Sequence, residues 1–148
     1  TIGGGEPVVF TSIRDDSTAG DTNGDGVATQ PGAGNWGRIR VEGNGTLELR
    51  NVELRYGGGG DNGNCCGINR PADGMLSIAA DAILEGVILR ESLSDGIHVT
   101  GGTGRITDCQ MIDNRGHGLE FTPGVCGDWI REGNLLLDNE GGDEVGCL

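Results

Sequence analysis

Ile83-Leu84-Glu85-Gly86-Val87-Ile88-Leu89 and Arg105-Ile106-Thr107-Asp108-Cys109-Gln110-Met111 read in parallel at an offset of 22 residues. The same offset joins Ser92 to Asn114 and Val99 to Phe121, and Asp73-Gly74, Asp95-Gly96 and His117-Gly118 recur at that interval. A fixed period of this size marks a repeat architecture, in which each unit buries its apolar face only by stacking on the next. Working outward, Gly133 to Asn139 repeats Asp108 to Asn114 at a spacing of 25, the extra three residues fitting an enlarged loop from Thr122 to Asp128. In the other direction Leu49 to Leu54 matches Leu84 to Leu89 at a spacing of 35, which is 22 plus an insertion of 13. That insertion falls at about 57–70, and a second, acidic one at about 13–35.

Within each repeat the apolar residues alternate over short runs (Val52/Leu54, Val87/Leu89, Cys109/Met111, Ile97/Val99, Leu119/Phe121), with Gly, Asn or Asp between the runs. Alternation predicts strands and the separators predict turns, while no window carries a helical period. The expected fold is all-β: a single-stranded parallel β-helix solenoid of about 4–5 rungs, ~22 residues and three short strands per rung, forming one domain over 1–148. Rungs are expected to open at Gly37, Gly74, Gly96 and Gly118. Val52, Val87, Cys109 and Asn134 should form one stacked column, and Leu54, Leu89, Met111 and Leu136 a second.

The pattern I-x-x-[NC]-x-[IM]-x-x-N followed by G-[IL]-x-[VF] stands here as Ile106, Cys109, Met111 and Asn114, then Gly118, Leu119 and Phe121. It resembles the bacterial secreted right-handed parallel β-helix repeat proteins of the pectate-lyase-like superfamily. The opening (Val8 to Ser12, Asp15-Asp16, Gly20 to Gly26, Trp36-Gly37) is similar to a segment of large secreted members. The resemblance covers nearly the whole chain and implies a right-handed solenoid. It implies little about activity, because the superfamily includes lyases, hydrolases, adhesins and passive scaffolds. Arg131 departs from the pattern, standing where Leu49, Leu84 and Ile106 stand, so the last rung is expected to be a terminus or a docking face.

Composition narrows the function. The 148 residues include 31 Gly and carry a net charge of −13, and all ten basic residues are Arg. One domain and one core fit this length. The acidity argues against a nucleic-acid partner, which needs a positive field. No apolar run approaches the roughly 18 residues of a membrane-inserted span. A chain opening at Thr1 without a charged-then-apolar leader reads as a processed or excised segment. Five Cys in an acidic, Lys-free sequence point to a secreted protein, extracellular or on the cell surface.

Three groups of residues bear on chemistry. Asp21-Thr22-Asn23-Gly24-Asp25-Gly26 matches the first half of a calcium loop, with Asp21, Asn23 and Asp25 as oxygen ligands and Val27 offering its carbonyl. Gly32 stands where the usual bidentate Glu would be, so Asp15 or Asp16 must fold back to complete a structural calcium site. The plain alternative is an acidic surface turn. This loop and the 57–70 insertion are expected to leave one corner as a side lobe, with Asp61, Asn62 and Asn64 near the metal loop. Cys126 and Cys147 leave the same edge one rung apart and are expected to form a disulfide. Cys109 reads as a buried thiol, Cys65-Cys66 has no obvious partner, and the cysteine spacings suit no zinc site. His98 and Glu120 occupy equivalent outward positions, with Glu144 expected one rung further, and form a weak candidate acid/base pair. Arg55 and Arg90 align with each other but with no acidic cluster, so a lyase-like base is not evident. Asn44-Gly45-Thr46 is a glycosylation sequon that chance supplies easily.

The expected function is that of a non-catalytic extracellular structural module. It would either assemble head to tail into a homo-oligomeric filament or form part of a larger cell-surface protein, since neither end carries a capping helix and open edges are pairing templates. The alternatives are an adhesin module binding a surface glycan, and a fragment of a polysaccharide lyase or hydrolase.

Overall fold

The computed structural model describes residues 7–59 and 74–147. Its strands in chain order are β1 (Val8–Phe10), β2 (Ile39–Arg50), β3 (Val52–Arg55), β4 (Leu76–Glu85), β5 (Ile88–Arg90), β6 (Ile97–Gly101), β7 (Gly104–Thr107), β8 (Gln110–Ile112), β9 (His117–Phe121), β10 (Trp129–Glu132), β11 (Leu135–Leu137) and β12 (Gly142–Val145). One helical turn, α1 (Asp16–Ala19), and a 3₁₀ turn at Cys126–Asp128 complete the described elements. Among the described residues no helix is long and apolar enough to cross a membrane.

The strands form two parallel sheets. A five-stranded flat sheet runs β1-β3-β5-β8-β11, and a seven-stranded sheet curled into a half-barrel runs β10-β7-β4-β6-β9-β12, with β2 on the far side of β4. The expectation of a single right-handed β-helix solenoid with three short strands per rung is therefore corrected. The reason lies at one corner. β2 and β4 do not stop there but continue through it, so that β4 pairs with β6 along one half and with β7 along the other. Small residues, Gly43 and Gly45 in β2 and Ala79, Ala80 and Ala82 in β4, let the backbone curl past while keeping its ladder. Only irregularities between Glu42 and Thr46, and between Ile78 and Ala79, mark the bend. Two positions assigned to separate strands thus become one curled sheet.

Strand pairing follows the sequence offsets. Leu54 lies opposite Leu89, Leu89 opposite Met111, and Met111 opposite Leu136, with Phe10 on the outer side of Leu54. Leu54, Leu89 and Met111 have no exposed surface. Val52, Val87 and Cys109 are equally buried beside them, and the facing side of the core comes from Leu76, Ile78, Leu84, Ile97, Val99, Ile106, Leu119 and Phe121. Burial pushes the Cys109 thiol up to about 11, so it remains protonated at neutral pH.

β3, β5, β8 and β11 of the flat sheet are each bounded by single residues in the left-handed region. Asn51, Gly86, Asp108 and Gly133 take that conformation on one side, and Tyr56, Glu91, Asp113 and Asp138 on the other. These equivalent positions make the tight corners, and Asn, Asp and Gly tolerate them best. Beyond the second corner Ser92, Asn114 and Asn139 stack. Asn114 Oδ1 accepts from Ser92 N–H (3.1 Å), and its Nδ2 donates to Leu89 O (3.3 Å) and Asn139 Oδ1 (2.8 Å). Asn139 Nδ2 in turn donates to Met111 O (3.0 Å). The side-chain amides thus continue the ladder where the backbone turns away from it.

Candidate functional site

The acidic loop between β1 and β2 is anchored at both ends. At its far end Gly34 N–H donates to Gly57 O, Gly58 N–H to Gly37 O and Gly59 N–H to Trp36 O, so residues 57–59 and the loop end leave one corner together. The rest of that second insertion, with Asp61, Asn62, Asn64, Cys65 and Cys66, lies outside the described residues. At the near end Asp15 caps α1, accepting from Ser17 N–H and Oγ, and also accepts from Thr11 Oγ1. Arg55 Nε stands 3.0 Å from Asp15 Oδ2, and the guanidinium also bonds Thr18. Burial acts to raise the Asp15 carboxyl, but the bonds from Ser17 and Thr11 and the charge of Arg55 outweigh it and hold it below its ordinary value. Stability from this contact is present above the unfolded carboxyl pKa and is lost as pH falls through the lower folded value.

Of the six expected metal ligands, the structure brings three carboxylates together. One oxygen each from Asp16, Asp21 and Asp25 lies within 4.8 Å of the other two. Asp15 faces Arg55 instead. Asn23 Oδ1 accepts from Asp25 N–H, its Nδ2 donates to Asp25 Oδ2 and Thr29 Oγ1, and the Val27 side chain is exposed. Asp21 accepts from the N–H groups of Asp25 and Gly26, closing the turn that the sequence motif predicts. Thr29 was missed from sequence: its hydroxyl donates to Asp25 Oδ2 (2.5 Å) and holds the Asp25 carboxyl below its ordinary value. Asp16 shifts the other way, raised by desolvation and by the charges of Asp21, Asp25 and Asp15. One oxygen of Asp16 and one of Asp25 are shut off from solvent without a hydrogen-bond partner among the described residues. A hard cation at this point would relieve both the crowding of charge and the unmet acceptors.

On the outer face of the curled sheet His98 pairs in register with Glu120. Glu144 is not the next member: Val145 lies opposite Glu120, and Glu144 lies opposite Leu119, where it bonds Arg131. Arg131 occupies the position of Leu49, Leu84 and Ile106, as the alignment of repeats implied. Its guanidinium sits 5.4 Å from the Phe121 ring centre and bonds Cys147 Sγ (2.9 Å). Cys147 is disulfide-bonded to Cys126, with Cα atoms 5.4 Å apart. An ion pair and a disulfide thus close the curled end of the core. Arg55 and Arg90 are both committed, Arg90 Nε to Glu53 at 2.6 Å and Arg55 to Asp15.

The last strand of the flat sheet is built differently. β11 pairs with β8 on one side, and among the described residues no strand covers its other edge. Leu135 and Leu137 point outward at 47% and 45% exposure, with Ile130 at 56% on the neighbouring β10. No protein-family model matches the chain, and comparison with curated proteins and with solved structures finds no match, so the resemblance to pectate-lyase-like proteins gains no support from relatives.

Proposed function

We propose that the chain is a non-catalytic, extracellular structural module whose copies join end to end, β11 of one copy pairing with β1 of the next. The observation that carries this reading is the match between the two edges of the flat sheet. β1 (Val8-Val9-Phe10) and β11 (Leu135-Leu136-Leu137) are both three residues long, parallel and apolar. Pairing them would set Phe10 on Leu136 and continue the Leu54–Leu89–Met111 column into the next copy. Charge favours the same contact. Residues 38–50 carry three Arg and two Glu, whereas residues 128–145 carry six acidic residues and one Arg. Exposed leucines on an uncovered strand are what isolated proteins avoid, and the inward Arg131–Glu144 pair blunts only the curled sheet. A contact between two different surfaces does not close on itself, so it propagates as a filament. The Cys126–Cys147 bond supports an oxidising compartment.

Light scattering across a concentration series, with negative-stain electron microscopy, tests the reading. Wild-type chain should grow into linear particles. Leu135→Lys/Leu137→Lys should remain monomeric at the same concentration, because Lys on an edge blocks pairing while these exposed positions leave the core intact. A wild-type chain that stays monomeric, or a variant that assembles equally well, overturns it.

The acidic loop is assigned calcium as a structural ligand, on the unmet oxygens of Asp16 and Asp25. At calcium one hundred times Kd the folded state gains about 2.7 kcal/mol, and at about 2–4 °C per kcal/mol the melting temperature should rise several degrees. Asp21→Asn should erase most of that rise. A melting curve indifferent to calcium and to chelator removes the ligand and leaves the loop an acidic turn.

A further inference from the structure

We infer that Asp95, His98 and Glu120, with His117 beside them, form a binding site for a first-row divalent transition metal of the zinc type. The chain has only two His, 19 residues apart, and both stand in this one patch on the outer face of the curled sheet. β6 and β9 run side by side, so His98 and Glu120 project together. Asp95 reaches in from the turn before β6, and His117 opens β9. One ligand atom each from Asp95, His98 and Glu120 lies within 4.8 Å of the other two. His117 Nδ1 is 3.4 Å from Asp95 Oδ1 and 4.0 Å from Glu120 Oε2.

Two further observations point to a ligand. Among the described residues His98 Nδ1 is shut off from solvent with no hydrogen-bond partner, while Nε2 of the same ring stands 3.4 Å from Thr122 Oγ1. A shut-off imidazole nitrogen without a partner has an unmet lone pair or an unmet proton, and a metal ion supplies what the lone pair lacks. The second observation is the preset orientation of Asp95. It is 8% exposed, and its Oδ1 accepts the backbone N–H of His117 at 2.7 Å. This oxygen sits 2.1 Å from where a Cβ on residue 116 would stand, so only Gly116 admits it. Outer partners of this kind aim a ligand before metal arrives.

The donor set selects the ion. Imidazole nitrogen with carboxylate oxygen suits zinc and its first-row neighbours, whereas calcium takes six to eight oxygens. Ligands about 2.0–2.1 Å from a tetrahedral zinc ion stand roughly 3.3 Å apart. The present set, within 4.8 Å, is looser than that, so His98 and Glu120 must draw in when the ion binds. The site therefore differs from the all-oxygen loop of Asp16, Asp21 and Asp25 in chemistry as well as place.

The test uses untagged, chelator-stripped chain carrying Cys65→Ser/Cys66→Ser, so that neither position can compete for zinc. Zinc chloride titrated in a calorimeter should saturate at one ion per chain, and both imidazole signals in a nitrogen-15 NMR spectrum should move together. His98→Asn and Glu120→Gln should each weaken binding more than about 10-fold, while Asp21→Asn should not change it. No saturable uptake, or uptake that survives both substitutions, overturns the site. If His98→Asn fails to fold, the unsubstituted imidazoles decide alone: signals unmoved by excess zinc overturn it.

Discussion

Asn114→Leu should lower the free energy of unfolding by about 2–4 kcal/mol, measured by denaturant titration. The side chain has no exposed surface and holds three neighbours at once. Leucine fills the same space but satisfies none of them. Ser92 N–H loses its acceptor, Leu89 O loses a donor, and Asn139 Oδ1 keeps only the backbone N–H of residue 114. The cost comes from polar groups left buried and unpaired, not from lost volume, so Asn114→Ala should be no milder than Asn114→Leu. A leucine variant as stable as wild type would mean that the amide stack fills space without contributing hydrogen bonds. The same logic ranks the ends of the stack: Asn139 is part-buried and can exchange partners with water, so Asn139→Leu should cost less.

The registers that build the flat sheet were legible because a strand's side chains alternate faces. Any offset that keeps apolar residues on one face is visible in the sequence, and a one-residue slip would expose them all. Hence Leu54, Leu89, Met111 and Leu136 could be aligned from spacing alone. The corner between the two halves of the curled sheet was not legible. Gly43, Asn44, Gly45 and Asp81 belong to the residue types that make turns, yet with Ala79, Ala80 and Ala82 beside them they also allow a continuous strand to curl, and composition does not separate the two outcomes. Register near Val145 was misjudged for a simpler reason. The offset of 25 that joins Asn114 to Asn139 continues into β12 and sets Val145 opposite Glu120, whereas the sequence reading let it slip to 24.

Sites were legible in proportion to how local they are. The turn Asp21 to Gly26 is a contiguous motif, and its backbone N–H groups fold onto Asp21 as that spacing demands. Which of Asp15 and Asp16 faces the turn depends on Arg55, a residue 40 positions away, and no local rule reaches it. Asp95 and His117 lay within the recurring Asp-Gly and His-Gly pairs. Their common offset from each other was the available sign that they stack, but it was read as punctuation of the repeat.

Cys126→Ser/Cys147→Ser should cost about 3 kcal/mol, because the bond closes a loop of 21 residues and removes chain entropy from the unfolded state. The loss should be uneven. The closed segment carries β10, β11 and β12, each the last strand of its stack and, among the described residues, paired on one side only. Arg131 holds this end by contact with Phe121, Glu144 and Cys147, and losing the sulfur leaves only the first two anchors. Amide hydrogen exchange in β10 to β12 should therefore accelerate well before exchange in β5 or β8, whose strands are paired on both sides. The proposed assembly should weaken with it, since β11 would have to be held flat to accept another strand, and a mobile edge adds ordering entropy to every contact. Reduced and oxidised chains with equal stability and equal exchange along β11 would show that the Arg131 contacts suffice to hold this end.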